Sequence, residues 1–247
     1  QGAAWVSADG DSWLRVPHED ALFGSRYGST TLNDVVEFPG GYIAAGCNEE
    51  RPLMLFSNDG QSWSVIDLGD DLFAEPTYED LLAGWAQRDA AFDTGTRGLG
   101  WFISGLAVAD GQIVAVGSAG FGGGSPVPGI FDGGRFAAVW TSTNGTDWTR
   151  VAHDEAVFGG LEDGVQSMIA VAATSHGFVA IGADGSGSDF DAAVWLSPDG
   201  TEWQRVPHDE AVLGGDAPDG RRSPGERRRG SGRRCAHGSS RGRASIA

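Results

Sequence analysis

One seven-residue pattern occurs four times and constrains the fold more than any other feature: "SADGDSW" from Ser7, "SNDGQSW" from Ser57, "STNGTDW" from Ser142 and "SPDGTEW" from Ser197. Each copy reads Ser-x-[Asp/Asn]-Gly-x-x-Trp. An Asp or Asn followed by Gly between two apolar runs is the strongest short-range hairpin signal. Gly accepts a positive φ, and the Asx side chain can bond the turn's own backbone. A chain with four copies of one hairpin is built from copies of one unit, so the repeat is read before anything else.

The likeness extends to both sides of the turn. Before the serine stand "GAAWV", "PLMLF", "AAVWT" and "AAVWL"; after the tryptophan come "LRVPHEDALFG", "SVIDLGDDLFA", "TRVAHDEAVFG" and "QRVPHDEAVLG". Two further apolar stretches precede each of the last three copies: "TLNDVVEF" and "GYIAAG", "WFISGLAVA" and "QIVAVG", "SMIAVAAT" and "FVAIG". Each unit therefore reads as four strands parted by Gly, Asp or Ser turns. In the last unit they are expected at 167–174, 177–182, 192–197 and 202–207. Four short strands about every 50 residues are the signature of a propeller blade.

The serines stand at 7, 57, 142 and 197, so the middle step is the long one. Most of the excess lies in 74–102, where "PTYEDLLAGWAQRDAAF" offers Thr77 as an N-cap, Asp80 three residues on, and Leu81, Leu82 and Trp85 at helical spacing; this predicts a short inserted helix. A second expansion, "SAGFGGGSPVPGIFDGGRF" over 118–136, is expected as a long loop between the second and third strands of its unit. The expected architecture is all-β. Residues 1–215 form an incomplete propeller of about three and a half four-stranded blades, with the insertion at 74–102. Such an open arc leaves sheet faces bare, so marginal stability or association is expected of it.

Charge divides the chain at the same point. Residues 1–215 hold 8 Arg against 31 Asp plus Glu, a net charge of -23, whereas residues 216–247 hold 9 Arg against 3 acids, a net +6. This Arg/Gly/Ser-rich stretch has almost nothing to bury and is expected to be a disordered tail. Three origins stay open for it: a basic arm for nucleic acid or anionic surfaces, a solvated linker, or an out-of-frame translation of sequence that once encoded further blades. The acidic body repels nucleic acid, so a nucleic-acid partner is expected only if the tail is genuine. No apolar run approaches the roughly 20 residues of a membrane span. The first residues already match the middle of a repeat, and a fragment or processed form is expected. Cys47 and Cys235 fall in the two unlike regions, which argues against a disulfide between them, and their spacing is not that of a zinc site.

The turn resembles the Asp-box, or BNR repeat, of sialidase-like propellers, usually written S-x-D-x-G-x-x-W; here one residue fewer separates the acid from the glycine, as in Ser197, Asp199, Gly200 and Trp203. The resemblance covers about residues 1–215. It implies a bacterial exported propeller, located outside the cell or on its surface, that binds glycan or protein. Sialidase-type enzymes use an arginine triad, a tyrosine nucleophile with a glutamate partner, and an aspartate often preceded by F/Y-R-I-P. The nearest string here is "ERPLM" around Arg51, and Tyr27, Tyr42 and Tyr78 fall in no such order. The resemblance thus carries over a fold and not an activity: a non-catalytic scaffold is expected, with no catalytic residue, cofactor or metal. The alternative is a fragment of a sialidase-like glycoside hydrolase whose catalytic blades are missing. The absence of any lysine excludes a P-loop, and there is neither a G-x-S-x-G elbow nor an H-E-x-x-H pair.

Four sets of turn residues are expected to make the fold rather than chemistry: Ser7, Asp9, Gly10 and Trp13; Ser57, Asp59, Gly60 and Trp63; Ser142, Asn144, Gly145 and Trp148; Ser197, Asp199, Gly200 and Trp203. Each Trp is expected to start the outer strand and to bury its ring between hairpins or neighbouring blades. A second repeated feature sets His18, His153 and His208 beside Glu19 and Asp20, Asp154 and Glu155, and Asp209 and Glu210. These could bind a metal or move protons. They could equally close the connection between units, with Phe23, Phe73, Phe158 and Leu213 packed beneath; Leu68 in place of the His in the second unit favours that reading. Arg15, Arg150 and Arg205 are expected on the exposed outer strand, paired with carboxylates. The run "DGSGSDFD" over 184–191 reads either as a solvated loop or as a weak Ca²⁺ site.

Overall fold

The computed structural model describes residues 2–19, 22, 30–48, 51–69, 71–73, 99–121, 135–159, 165–186 and 189–214. All of them lie in one unit, Gln1–Gly215. The chain is mostly β. The first repeat supplies two strands, β1 (Trp5–Val6) and β2 (Leu14–Arg15). The second supplies β3 (Thr30–Phe38), β4 (Gly41–Asn48), β5 (Arg51–Ser57) and β6 (Ser64–Val65), followed by a 3-10 turn, Asp71–Phe73. In the third come β7 (Leu99–Ala109), β8 (Gln112–Phe121), β9 (Arg135–Ser142) and β10 (Thr149–Arg150), and then α1 (Glu155–Phe158). The fourth has β11 (Val165–Thr174), β12 (Gly177–Ser186), β13 (Asp189–Ser197) and β14 (Gln204–Arg205), closed by α2 (Glu210–Leu213). Within a repeat each strand pairs antiparallel with the next.

Several expectations are adjusted by this register. The fourth strand of each unit begins one residue after the turn tryptophan, at Leu14, Ser64, Thr149 and Gln204. In "DGSGSDFD", most residues are strand, and Asp184 faces Asp191 across the β12–β13 ladder. The last four residues of the stretch read as inserted, 99–102, already belong to β7. The short helix expected from the Thr77 N-cap onward, loop residues 122–134, Asp20, Phe23 and the tail from 216 onward lie outside the described residues. The third and fourth units are joined by one parallel bridge, Val165 to Arg135, which makes them a continuous eight-stranded sheet where separate four-stranded blades were expected.

Three apolar layers hold successive units face to face. Ala4, Val16 and Leu22 of the first meet Ala44, Leu53 and Leu55 of the second. Ile43, Met54 and Ile66 meet Ile103, Ala115 and Trp140. Val114, Val116 and Val139 meet Met168, Phe178 and Trp195. Successive side chains of a strand point to opposite faces, so an interior sheet must be apolar on both. That is why "QIVAVG" and "FAAVWT" show no polar alternation. The sheets remain open at the two ends of the stack. No helix among the described residues is long and apolar enough to cross a membrane.

The first strands β3, β7 and β11 pack side by side, and each carries a bulge at the same place: between Leu32 and Asp34, Ile103 and Gly105, Met168 and Ala170. At the first of them the bulge aims polar groups at the next unit. Asn33 Nδ2 donates to the Ile103 carbonyl at 2.7 Å, and Leu106 N–H donates to Asp34 Oδ2 at 2.8 Å.

Candidate functional site

Every copy of the repeated turn closes with the same bonds. The serine Oγ accepts from the glycine N–H, at 2.8 Å for Gly10, 2.8 Å for Gly60, 2.9 Å for Gly145 and 2.7 Å for Gly200. The Asx Oδ1 accepts from two successive backbone N–H groups: Asp11 and Ser12 on Asp9, Gln61 and Ser62 on Asp59, Thr146 and Asp147 on Asn144, Thr201 and Glu202 on Asp199, all within 3.0 Å. Each indole Nε1 donates to the glycine carbonyl, at 3.0, 3.0, 3.1 and 2.8 Å in chain order. The glycines hold φ between 73° and 85°, the left-handed region that favours this residue. Within each turn the Ser hydroxyl, the Asx oxygen and the indole N–H thus find partners in the turn itself.

That arrangement stabilises the ionised carboxylate. Backbone donors, Ser12 first and then Asp11, draw Asp9 down from 3.8 to about 2, and the same kind of bond, led by Ser62 and by Glu202, lowers Asp59 and Asp199. A carboxyl lowered in the folded state contributes stability that is complete above its unfolded value and is lost as pH falls through the folded one. Melting temperature is therefore expected to hold down to about pH 4 and to drop from there toward about pH 2. Asn144 makes the same bonds without titrating, so Asp199→Asn is expected to keep the turn and flatten part of the acid slope in a series of melts across this range.

The three repeated histidines sit after the fourth strands of three different units, in unlike surroundings. His18 is exposed. The His153 ring packs 5.0 Å from Phe136 and 6.2 Å from Phe158, centroid to centroid; burial, with the Arg150 charge second, pushes its pKa down although part of the residue stays open to solvent. His208 Nε2 lies 2.9 Å from Glu210 Oε2 and 3.9 Å from Asp191 Oδ2. The Glu210 bond pushes the His208 pKa up. Ligand atoms of Asp191, His208 and Glu210 fall within 4.8 Å of one another. Both carboxylates approach the same ring nitrogen, and of the two Glu210 is within hydrogen-bond distance of it.

Sequence reasoning set His208 beside Asp209 and Glu210 but missed Asp191, which the β12–β13 hairpin carries in from 17 positions away. Asp209 does something else: it caps α2, accepting from Ala211 N–H at 3.0 Å, as Asp154 caps α1 by accepting from Ala156 N–H at 2.9 Å. Arg205 pairs with Asp184, Arg150 stacks 5.1 Å from the centroid of Trp101, and Arg15 stacks 5.9 Å from that of Trp5. Burial lowers Arg150's pKa. Cys47 is buried, its Sγ 3.0 Å from Thr31 Oγ1. The turn tryptophans are unequal: Trp203 is buried, Trp63 and Trp148 half-buried, and Trp13, expected inside, is 63% exposed.

No protein-family model and no curated protein matches this sequence. Among solved structures the chain is similar to a GH32 β-fructofuranosidase of Bombyx mori, at 12% identity and a TM-score of 0.40 over 71% of this chain and 34% of that one. It is similar to a glycosyl hydrolase from Bacteroides ovatus, at 15% identity and 0.37 over 84% and 63%. An N-acetylgalactosamine deacetylase from F. plautii gives 15% and 0.38 over 82% and 59%. The chain therefore spans between about a third and two thirds of the length of these proteins.

Proposed function

We propose that this chain is an arc of an Asp-box-like β-propeller, displayed outside the cell or on its surface, which binds glycan or protein as a non-catalytic scaffold. One observation carries the reading. The carboxylates the repeat provides at Asp9, Asp59 and Asp199 accept from their own turn's backbone N–H groups, so the recurring polar residues serve architecture. Recognition then falls to what differs between units, the segments 74–98 and 122–134 that join strands of otherwise matching repeats. The acidic body, at -23 over residues 1–215, makes an anionic polymer a poor partner for it.

The test is a glycan array run beside a panel of fluorogenic glycosides, sialosides included, with the full chain. Binding without turnover is expected, and replacing 122–134 by a Gly/Ser linker is expected to abolish it while leaving the melt unchanged. Turnover above the buffer rate would overturn the scaffold reading in favour of a sialidase-like glycoside hydrolase, and binding that survives the replacement would move recognition away from that segment.

A further inference from the structure

We propose that Asp191, His208 and Glu210 form a binding site for a divalent metal ion of the zinc class, held between His208 Nε2 and one oxygen of each carboxylate. The ligand atoms of the three side chains lie within 4.8 Å of one another. His208 Nε2 is 2.9 Å from Glu210 Oε2 and 3.9 Å from Asp191 Oδ2. A tetrahedral zinc ion holds nitrogen and oxygen ligands at about 2.1 Å, which sets them about 3.4 Å apart, and the two distances from Nε2 bracket that spacing. An imidazole nitrogen with carboxylate oxygens is a donor set that suits zinc, whereas calcium takes oxygen ligands alone.

The fold brings the three together from separate elements. β14 pairs with β13 through Arg205 and Trp195, and Val206 N–H donates to the Val194 carbonyl at 2.9 Å. The segment after β14 therefore runs back along β13, which sets His208 beside Asp191. Asp209 then caps α2, whose first residue is Glu210. Asp184, opposite Asp191 in the β12–β13 ladder, is bound to Arg205 and stays out of the set. Asp191 is half-buried, and His208 and Glu210 are exposed.

This set is not a by-product of the repeat. Counted from the turn serine, the places of Asp191, His208 and Glu210 are held in the third unit by Phe136, His153 and Glu155, and in the second by Arg51, Leu68 and Asp70. In the third unit the first two of these places also meet, but as rings: Phe136 and His153 stand 5.0 Å apart, centroid to centroid. The repeat thus brings the two positions together, and only the fourth unit puts a carboxylate opposite the imidazole. A carboxylate adds nothing to apolar packing there; it gives Nε2 a second anionic neighbour. Two carboxylates at one nitrogen favour positive charge, as the raised pKa of His208 reflects, with the Glu210 bond its first cause. A divalent ion meets the same field with twice the charge of a proton and bonds all three groups at once.

The experiment is calorimetric titration of the full, chelator-stripped chain with Zn²⁺ alone, with melting temperatures read in EDTA and in zinc. Cys235→Ser is the background for every sample, because a cysteine is itself a zinc ligand. Saturable uptake is expected, and His208→Gln, Asp191→Asn and Glu210→Gln are each expected to weaken it by about tenfold or more, since a lost ligand costs no less than a lost outer-shell partner. Zinc is expected to raise the melting temperature of the parent and to leave that of His208→Gln where it is in EDTA. Should one variant melt low in EDTA, the other two carry the comparison. A parent that takes up no zinc saturably, uptake that all three substitutions leave unchanged, an equal rise in melting temperature for His208→Gln, or displacement of zinc by calcium at equal concentration would each overturn the assignment.

Discussion

Trp195→Ala is expected to cost about 3–5 kcal/mol of folding stability, whereas Trp5→Ala is expected to change it by less than about 0.5 kcal/mol. The two residues hold the same place in their repeats, in "AAVWL" and "GAAWV", so local sequence cannot separate them. What separates them is the neighbouring unit. Trp195 is fully buried among Phe158, Phe178 and Val139, and its Nε1 bonds the Val157 carbonyl. Truncation there leaves a cavity lined by residues of two sheets and an unpaired carbonyl. Trp5 is 55% exposed, with the Arg15 guanidinium 5.9 Å from its ring centroid. Chemical denaturation at low protein concentration, where association between copies adds nothing, measures both. Equal losses would mean that the first unit is covered after all. Trp140 offers a finer test: its buried Nε1 has no partner among the described residues, so Trp140→Phe is expected to cost less than Trp195→Phe.

The parts of the fold that could be read from the sequence are those whose physics is local. The Ser-x-Asx-Gly turn announces itself because every bond that closes it lies within a few residues, from Ser197 to Trp203 in the last copy. Strand positions followed for the same reason, since apolar runs bounded by Gly and Asp turns need no partner to be recognised. The rest depends on contacts between units. Nothing near Trp13 says that its face is bare while that of Trp203 is covered. Asp191 reaches His208 only through strand pairing. The caps at Asp154 and Asp209 were present as Asp-Glu-Ala-Val, but a single helical turn is too short to show a period, and the acids were read as partners of histidine. Arg150 alternates as an exposed strand residue should, yet it lies on Trp101, which belongs to a strand with no sequence relation to it.

The bulges were the least visible element, and they explain a glycine that the repeat keeps in all three complete units. Gly46, Gly117 and Gly182 pair with Leu32, Ile103 and Met168, the residues just before each bulge. A Cβ built on these glycines would fall inside the van der Waals envelope of a backbone oxygen, that of Thr31, Phe102 or Ser167. Such an oxygen cannot rotate aside as a side chain can, and at Gly117 the strand is central, paired with β7 on one side and β9 on the other. Relief requires moving β7, which packs on both β3 and β11. Gly117→Ala is therefore expected to cost about 3 kcal/mol or more. Gly111 is the contrasting case, in the β7–β8 turn at φ 79° with open space where a Cβ would point. Gly111→Ala meets only the left-handed backbone penalty of about 1 kcal/mol. Urea midpoints at constant slope give both values. If Gly117→Ala costs no more than Gly111→Ala, the close approach at the bulge is not what selects glycine there, and the shared position of the three bulges loses its structural meaning.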